Sequence, residues 1–131
     1  MTNREIISNI YGLDKLTKEQ EEAIKKEPTL KRMPIKVTYG IDRNKKKLAV
    51  EHEEFSNQLK KLNELYGLKI DEKGMISLAS LSDEQREEYA SKLIELQDID
   101  VKLDLHMISI DDFGTYEPTL KELEILSFMI E

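Results

Sequence analysis

Cysteine and tryptophan are absent from the 131-residue sequence, and glycine, proline and aromatic residues are scarce. The lack of cysteine excludes disulfides, thiolate zinc sites and a cysteine nucleophile. No run approaches the roughly 18 apolar residues of a membrane span, and the first residues, Met1 to Glu5, lack the apolar core of a signal peptide. We therefore expect a single cytoplasmic domain over residues 1–131, without membrane contact.

Sequence motifs of catalysis and cofactor binding are also missing. There is no glycine-rich phosphate loop, nucleophile elbow or dinucleotide fingerprint, and His52 and His106 do not have the spacing of a zinc site. Four aspartates lie close together without the spacing of a calcium loop, namely Asp100, Asp104, Asp111 and Asp112. We predict a non-enzymatic protein with no cofactor and no metal site, and leave open whether these aspartates hold a cation.

Charge is distributed unevenly along the chain. Residues 1–22 contain three basic and five acidic side chains, residues 23–50 nine basic and two acidic, and residues 51–131 eight basic and twenty acidic, for a net charge of −7. Either the basic segment pairs with acidic neighbours within the fold, or one charged end docks on a partner of opposite charge. The basic candidates for partner contact are Arg43, Lys45, Lys46 and Lys47. Because no aromatic residues interleave this run, we do not expect a nucleic acid partner.

Capping boxes, in which Ser or Thr is followed three residues later by Glu or Gln, mark the starts of helices. The boxes begin at Thr2, Thr17, Ser82 and Thr119, and they predict helices over residues 3–11, 18–26, 83–97 and 120–130. Gly12 is predicted to end the first helix. The last helix is apolar over most of its circumference, so it is buried or binds a partner, and Phe128 is a candidate contact.

A longer helix is predicted from Pro34 to Tyr66, because apolar residues recur there at steps of three or four. Alternation from Ile35 to Ile41 leaves a short strand as the alternative for residues 34–41. Asn44 falls on the apolar face, where we expect a buried amide that fixes helix pairing. Helix 83–97 has a matching apolar stripe, so the two helices are predicted to form an antiparallel hairpin.

Three short strands complete the predicted fold. Residues 68–70 and 75–78 flank a turn that contains Gly74, and residues 101–107 alternate apolar and polar side chains. The sequence thus predicts an α+β domain, in which residues 1–32 form an N-terminal helical segment. Residues 33–131 form the long antiparallel helical hairpin, flanking short helices and a small, mostly antiparallel β-sheet.

The order of these features resembles a known family. Residues Met33 to Tyr39 lead through Arg43-Asn44 into a long charged helix, followed by Ile99 to His106 and by a closing segment from Leu120 to Glu131. This order is similar to that of short proteins encoded by tailed phages and prophages of Gram-positive bacteria, catalogued as a domain of unknown function. The resemblance covers the chain from about residue 33 and includes no catalytic signature.

The resemblance implies a phage gene product in the host cytoplasm or associated with the virion, acting by interaction. In one hypothesis it is a virion or tail-assembly accessory that binds a phage structural protein and forms a homo-oligomer. In the alternative hypothesis it inhibits a host anti-phage defence protein, such as a nuclease or signalling protein, through its acidic surface.

Overall fold

The chain folds into four α-helices and two short 3₁₀ turns in the computed structural model, which describes residues 1–131. The helices are α1 (Asn3–Lys26), α2 (Ile35–Leu65), α3 (Asp83–Gln97) and α4 (Leu120–Leu126), and the 3₁₀ turns span Ile110–Phe113 and Ser127–Met129. Bridges of β type join only three isolated residue pairs. The predicted α+β class with a small sheet is therefore wrong, and the fold is mainly helical.

Helix α2 is the longest helix of the fold. Its 31 residues extend over roughly 46 Å at 1.5 Å per residue. Pro34 is its N-cap, and the alternative of a strand over residues 34–41 is wrong. The buried side chains of its inner face recur at helical spacing and include Val37, Ile41, Leu48 and Phe55. Burial of this face outweighs the local strand propensity at the start of the helix.

Helix α1 runs without interruption through Gly12, where the sequence predicted a stop between two short helices. Thr2 caps the first turn by accepting a hydrogen bond from the Glu5 amide. Thr17 does not start a second helix but lies within α1, where its hydroxyl donates to the Leu13 carbonyl one turn earlier. The apolar face of α1 is buried on both sides of Gly12, and this burial overrides the preference of glycine for helix ends.

Helices α1 and α3 meet end to end while both pack against α2. The side-chain amide of Asn3 donates to the Leu96 carbonyl at 2.9 Å and joins the start of α1 to the end of α3. The Tyr89 hydroxyl of α3 donates to Asn63 Oδ1, near the end of α2, at 2.6 Å. Helix α3 opens with the predicted capping box at Ser82.

Residues 68–78 form the predicted turn without a sheet. Gly74 has a φ of 76°, in the left-handed region that favours glycine. A single antiparallel bridge joins Ile70 and Ile76 across this turn. Leu68, Ile76 and Leu78 of the connection pack with α3 in a small cluster, whereas Ile70 and Met75 are exposed.

The predicted alternation of residues 101–107 holds as far as Leu105, after which His106 is half-buried and Met107 is exposed, and no strand lies beside the segment. Val101, Leu103 and Leu105 are half-buried, whereas Lys102 and Asp104 are exposed. Isolated bridges on either side of the segment are its only β-type pairings. An alternating pattern reports burial of one face, and here helices bury that face where a sheet was expected.

Two apolar clusters stabilise the fold. The main core joins α1, the first half of α2 and the C-terminal residues, including the fully buried Leu126 and Met129. The smaller cluster consists of Leu68, Leu81 and Tyr89. Helix α4 ends at Leu126, earlier than predicted, and a 3₁₀ turn carries the chain across the main core.

Candidate protein-interaction surface

The basic candidates lie on α2 in different surroundings. Lys45 Nζ forms an ion pair with the Asp14 carboxylate of α1 at 3.2 Å. Lys47 Nζ donates to a backbone carbonyl within residues 101–107. Two of the four candidates, Lys45 and Lys47, therefore form contacts within the fold, because each joins α2 to a neighbouring segment.

Arg43 and Lys46 are exposed, and neither forms an ion pair. Of the nine basic residues between positions 23 and 50, Lys45 alone pairs with a carboxylate. Pairing within the fold therefore accounts for little of this positive charge. The other eight basic side chains form no ion pair, on a protein whose net charge is negative.

An exposed stripe on the outer face of α2 combines these charges with apolar side chains. At about 100° per residue, its members share one side of the helix. We name the set the α2 stripe, and it consists of Ile35, Lys36, Tyr39, Arg43, Lys46 and Val50. Ile35 is 82% exposed and Tyr39 is 53% exposed. Apolar side chains grouped with tyrosine and arginine are typical of protein-binding surfaces.

The Tyr39 ring contacts two neighbouring side chains, those of Arg43 and His106. The guanidinium carbon of Arg43 is 5.8 Å from the Tyr39 ring centroid, over the ring. The His106 ring meets Tyr39 edge to face, with centroids 5.4 Å apart. These contacts restrict the tyrosine side chain, so that a partner binding it loses less conformational entropy.

A cavity of about 360 Å³ opens beside Tyr39. Its lining consists of Ile35, Lys36, Tyr39, His106 and Asp112. The cavity is therefore lined by both apolar and charged side chains. Pockets at protein interfaces that bind an anchor side chain of the partner are similar. Ile35 and Tyr39 were not among the predicted contact residues, because the pattern of their segment also fitted a strand. A helical projection of residues 35–50 places both beside Arg43.

The acidic candidates do not converge on one site. Asp100 accepts a hydrogen bond from the N-terminal ammonium at 2.7 Å, and Asp112 Oδ2 accepts one from the Ser109 amide at 2.9 Å. Asp104 and Asp111 are exposed. No group of three or more histidine, aspartate or glutamate side chains is placed to hold a metal ion.

The remaining ring-bearing candidates are partly buried. Phe128 packs against the main core and is not an exposed contact. His52 is half-buried and stacks on Phe55, and its buried Nδ1 has no hydrogen-bond partner. His106 is half-buried, and its backbone is hydrogen-bonded to Asn44.

A buried carboxylate that the sequence did not reveal lies beside a groove of about 300 Å³ between α1 and α4. Glu122 is 8% exposed and accepts hydrogen bonds from the Tyr116 hydroxyl at 2.8 Å, the Gln20 amide at 2.9 Å and the Thr119 amide at 2.9 Å. The spacing of Thr119 and Glu122 predicted only the contact between these two residues, as a helix cap. The contacts of Tyr116 and Gln20 with the carboxylate depend on the tertiary fold and were not predicted.

These contacts shift the pKa values of Glu122 and Tyr116. Burial acts to raise the pKa of Glu122, but the hydrogen bonds outweigh it and hold the pKa below 4.5. Burial and the neighbouring carboxylate raise the pKa of Tyr116 to about 12. Because both carboxylate oxygens already accept hydrogen bonds, we assign Glu122 to holding α4 against α1.

The chain matches no model of a known protein family, no curated protein and no solved structure. None of its helices combines the length and the apolar composition needed to cross a membrane.

Proposed function

We propose that the chain is a non-enzymatic, phage-encoded protein that binds another protein through the α2 stripe, as an accessory of virion or tail assembly. The observation that carries the binding role is the exposure of Ile35 and Tyr39 beside the unpaired Arg43. The phage context rests on the resemblance of the sequence from about residue 33 onward.

The chemistry of the stripe indicates the kind of partner. Lys36, Arg43 and Lys46 attract an acidic surface, and this attraction speeds encounter more than it adds affinity. The cavity beside Tyr39 receives one apolar side chain of the partner, while the ring supplies a pre-organised contact. We therefore propose a phage structural protein with an acidic patch and a protruding apolar residue.

The test is capture of binding proteins by the tagged chain from lysates of infected and uninfected host cells, at low and high salt. We expect wild type to retain phage structural proteins, with weaker retention at high salt. The double variant R43E/K46E should bind roughly tenfold more weakly, since it reverses two exposed charges at the centre of the stripe.

The matched control is K60E/K61E, which reverses two exposed charges farther along α2. It should bind as wild type does, and binding that survives R43E/K46E would contradict the stripe as the contact surface. Recovery of a host nuclease or signalling protein in place of phage proteins would favour the alternative, inhibition of host defence through the acidic surface.

A further inference from the structure

The groove between α1 and α4 has an apolar lining that comes from three parts of the chain. Leu16, Ala23 and Ile24 belong to α1, Leu30 to the loop after it, and Ile125 to α4. Leu16 is buried, Ile24 and Ile125 are half-buried, and Leu30 is exposed. A volume of about 300 Å³ lies at the lower end of the range for pockets that bind small molecules. The groove is therefore large enough for a small apolar group.

Most of the charged side chains that line this groove already have partners within the chain. Lys121 Nζ forms an ion pair with the Glu19 carboxylate at 3.3 Å. The Glu122 carboxylate accepts hydrogen bonds at both of its oxygens. The Lys31 ammonium donates to the carbonyl and to the hydroxyl of Thr115. A ligand that used any of these four charged groups would have to compete with a contact of the fold.

Arg32 is the fifth charged residue of the lining, and it has no partner. The side chains of Arg4 and Arg86 donate hydrogen bonds, whereas the exposed guanidinium of Arg32 forms neither a hydrogen bond nor an ion pair. Arg32 also lines an adjoining cavity of about 520 Å³, together with Glu21 and Asp42, but pairs with neither carboxylate. The only free charge of the groove lining is therefore positive.

We propose that the groove binds a small carboxylic acid with an apolar body, and that Arg32 holds the carboxylate of this ligand. The planar guanidinium binds a carboxylate through two parallel hydrogen bonds, a geometry that the ammonium of a lysine does not provide. The apolar body of the ligand packs against Ile24, Leu30 and Ile125, where its burial removes apolar surface from water.

The partners of the lining residues select the charge of the ligand. An amine would have to displace the hydrogen bonds that Tyr116, Gln20 and Thr119 donate to Glu122. An uncharged ligand would gain only the apolar contacts and leave Arg32 unpaired. A carboxylate adds an ion pair with Arg32 and disrupts no contact of the fold, so it is the class that the groove fits best.

The groove and the α2 stripe have no residue in common. The inference is therefore independent of the proposed function. Binding of a small acid and capture of a partner protein are measured separately, and either one can fail while the other holds.

Four small probes test the ligand class by nuclear magnetic resonance titration at neutral pH. Hexanoate has the carboxylate and an apolar chain, whereas acetate lacks the chain, hexanol lacks the charge and hexylammonium has the opposite charge. We expect hexanoate to bind with a dissociation constant of about 1 mM or lower, and each of the other three to bind at least about tenfold more weakly. The methyl resonances of Ile24 and Ile125 should shift on binding.

A pair of arginine variants tests the ionic contact. Arg32→Gln should weaken the binding of hexanoate about tenfold and leave that of hexanol unchanged, because only the carboxylate contacts the guanidinium. Arg43→Gln is the matched control, since Arg43 is exposed, forms no ion pair and does not line the groove. It should bind hexanoate as wild type does.

A pair of alanine variants tests the location of the apolar body. Ala23→Phe places a ring in the groove and should weaken the binding of hexanoate and hexanol alike, by about tenfold. Ala49→Phe, at an exposed position of α2 outside the groove, should have no effect. Urea unfolding verifies that each variant is folded.

Three outcomes would overturn the proposal. Equal binding of hexanoate by wild type and Arg32→Gln, or tighter binding of hexylammonium than of hexanoate, would reject a carboxylate as the ligand. Resonance shifts at Tyr39 in place of Ile24 and Ile125 would reject the groove as the site. The absence of saturable binding up to about 20 mM hexanoate would reject both.

Discussion

The side-chain amide of Asn44 forms two hydrogen bonds with the backbone of His106. Its Nδ2 donates to the His106 carbonyl at 2.9 Å, and its Oδ1 accepts from the His106 N–H at 2.8 Å. Asn44 is 0% exposed. The amide thus acts on the segment as a neighbouring strand would, by satisfying one donor and one acceptor of the same residue. A helix fixes the position of residues 101–107 without a sheet.

Replacing Asn44 by leucine should destabilise the fold. The substitution leaves the N–H and C=O of His106 without partners, and we expect a loss of about 3 kcal/mol in the free energy of unfolding. Urea denaturation measures the loss, and faster exchange of the His106 amide would localise it.

Asn57, exposed on the same helix, provides the control for this substitution. Asn57→Leu should change the free energy of unfolding by less than about 0.5 kcal/mol. A loss of similar size in both variants would show that a leucine on α2 is unfavourable regardless of the hydrogen bonds to His106.

Gly40 lies where α2 approaches the C-terminal core most closely. A Cβ atom there would come within 3.0 Å of Ile108 Cγ2 and 3.2 Å of Met129 Cε, and both side chains are buried. The crowding should outweigh the helix propensity gained, so we expect Gly40→Ala to lower the free energy of unfolding by about 1 kcal/mol, measured by thermal or urea unfolding.

Gly12 on α1 provides the control. The nearest atom to a Cβ there is Ile125 Cγ2 at 3.3 Å, on a half-buried side chain. Gly12→Ala should therefore be neutral or stabilising, and equal losses at both positions would contradict the argument.

The Glu122 carboxylate should make stability depend on pH in acid. Its pKa in the folded state is below the ordinary value of 4.5, so its contribution is fully present above pH 4.5 and is lost as the pH falls through the lower, folded value. Glu122→Gln removes the charge but keeps the size, and should cost about 2 kcal/mol at neutral pH. The difference between the two proteins should shrink in acid, as measured by urea unfolding between neutral pH and pH 2.5. A difference that stays constant over this range would contradict the assignment.

The Tyr89 hydroxyl should stabilise the packing of α3 against the end of α2. It donates to Asn63 Oδ1 at 2.6 Å, and both residues are buried. Tyr89→Phe leaves the amide oxygen unpaired, so we expect a loss of about 1.5 kcal/mol in the free energy of unfolding. Tyr11→Phe, at an exposed position without a hydrogen bond, is the matched control and should leave stability unchanged.

Several elements were predictable because their signals are local. The capping box at Ser82, the start of a helix near Pro34 and the turn at Gly74 each depend on a few consecutive residues, and the structure confirms them. Gly12 shows where local preference fails, because a continuous apolar face buried against α2 keeps α1 helical through it.

The candidate surface was predictable only in part. The basic segment identified Arg43 and Lys46, but composition does not show that Lys45 pairs with Asp14, nor that Tyr39 lies beside Arg43. These facts depend on the direction in which each side chain leaves α2, which requires the helix and its neighbours to be placed first.

Local sequence patterns predicted most of the helical residues, the starts of most of the helices, and the burial of alternate side chains over residues 101–105. What buries those side chains depends on the tertiary structure. A period-two pattern is satisfied by any apolar surface on one side, and here helices and the Asn44 amide supply what a sheet would have supplied. The predicted sheet was wrong for that reason: alternation encodes which face is buried, whereas the identity of the neighbour depends on long-range contacts that no local pattern contains.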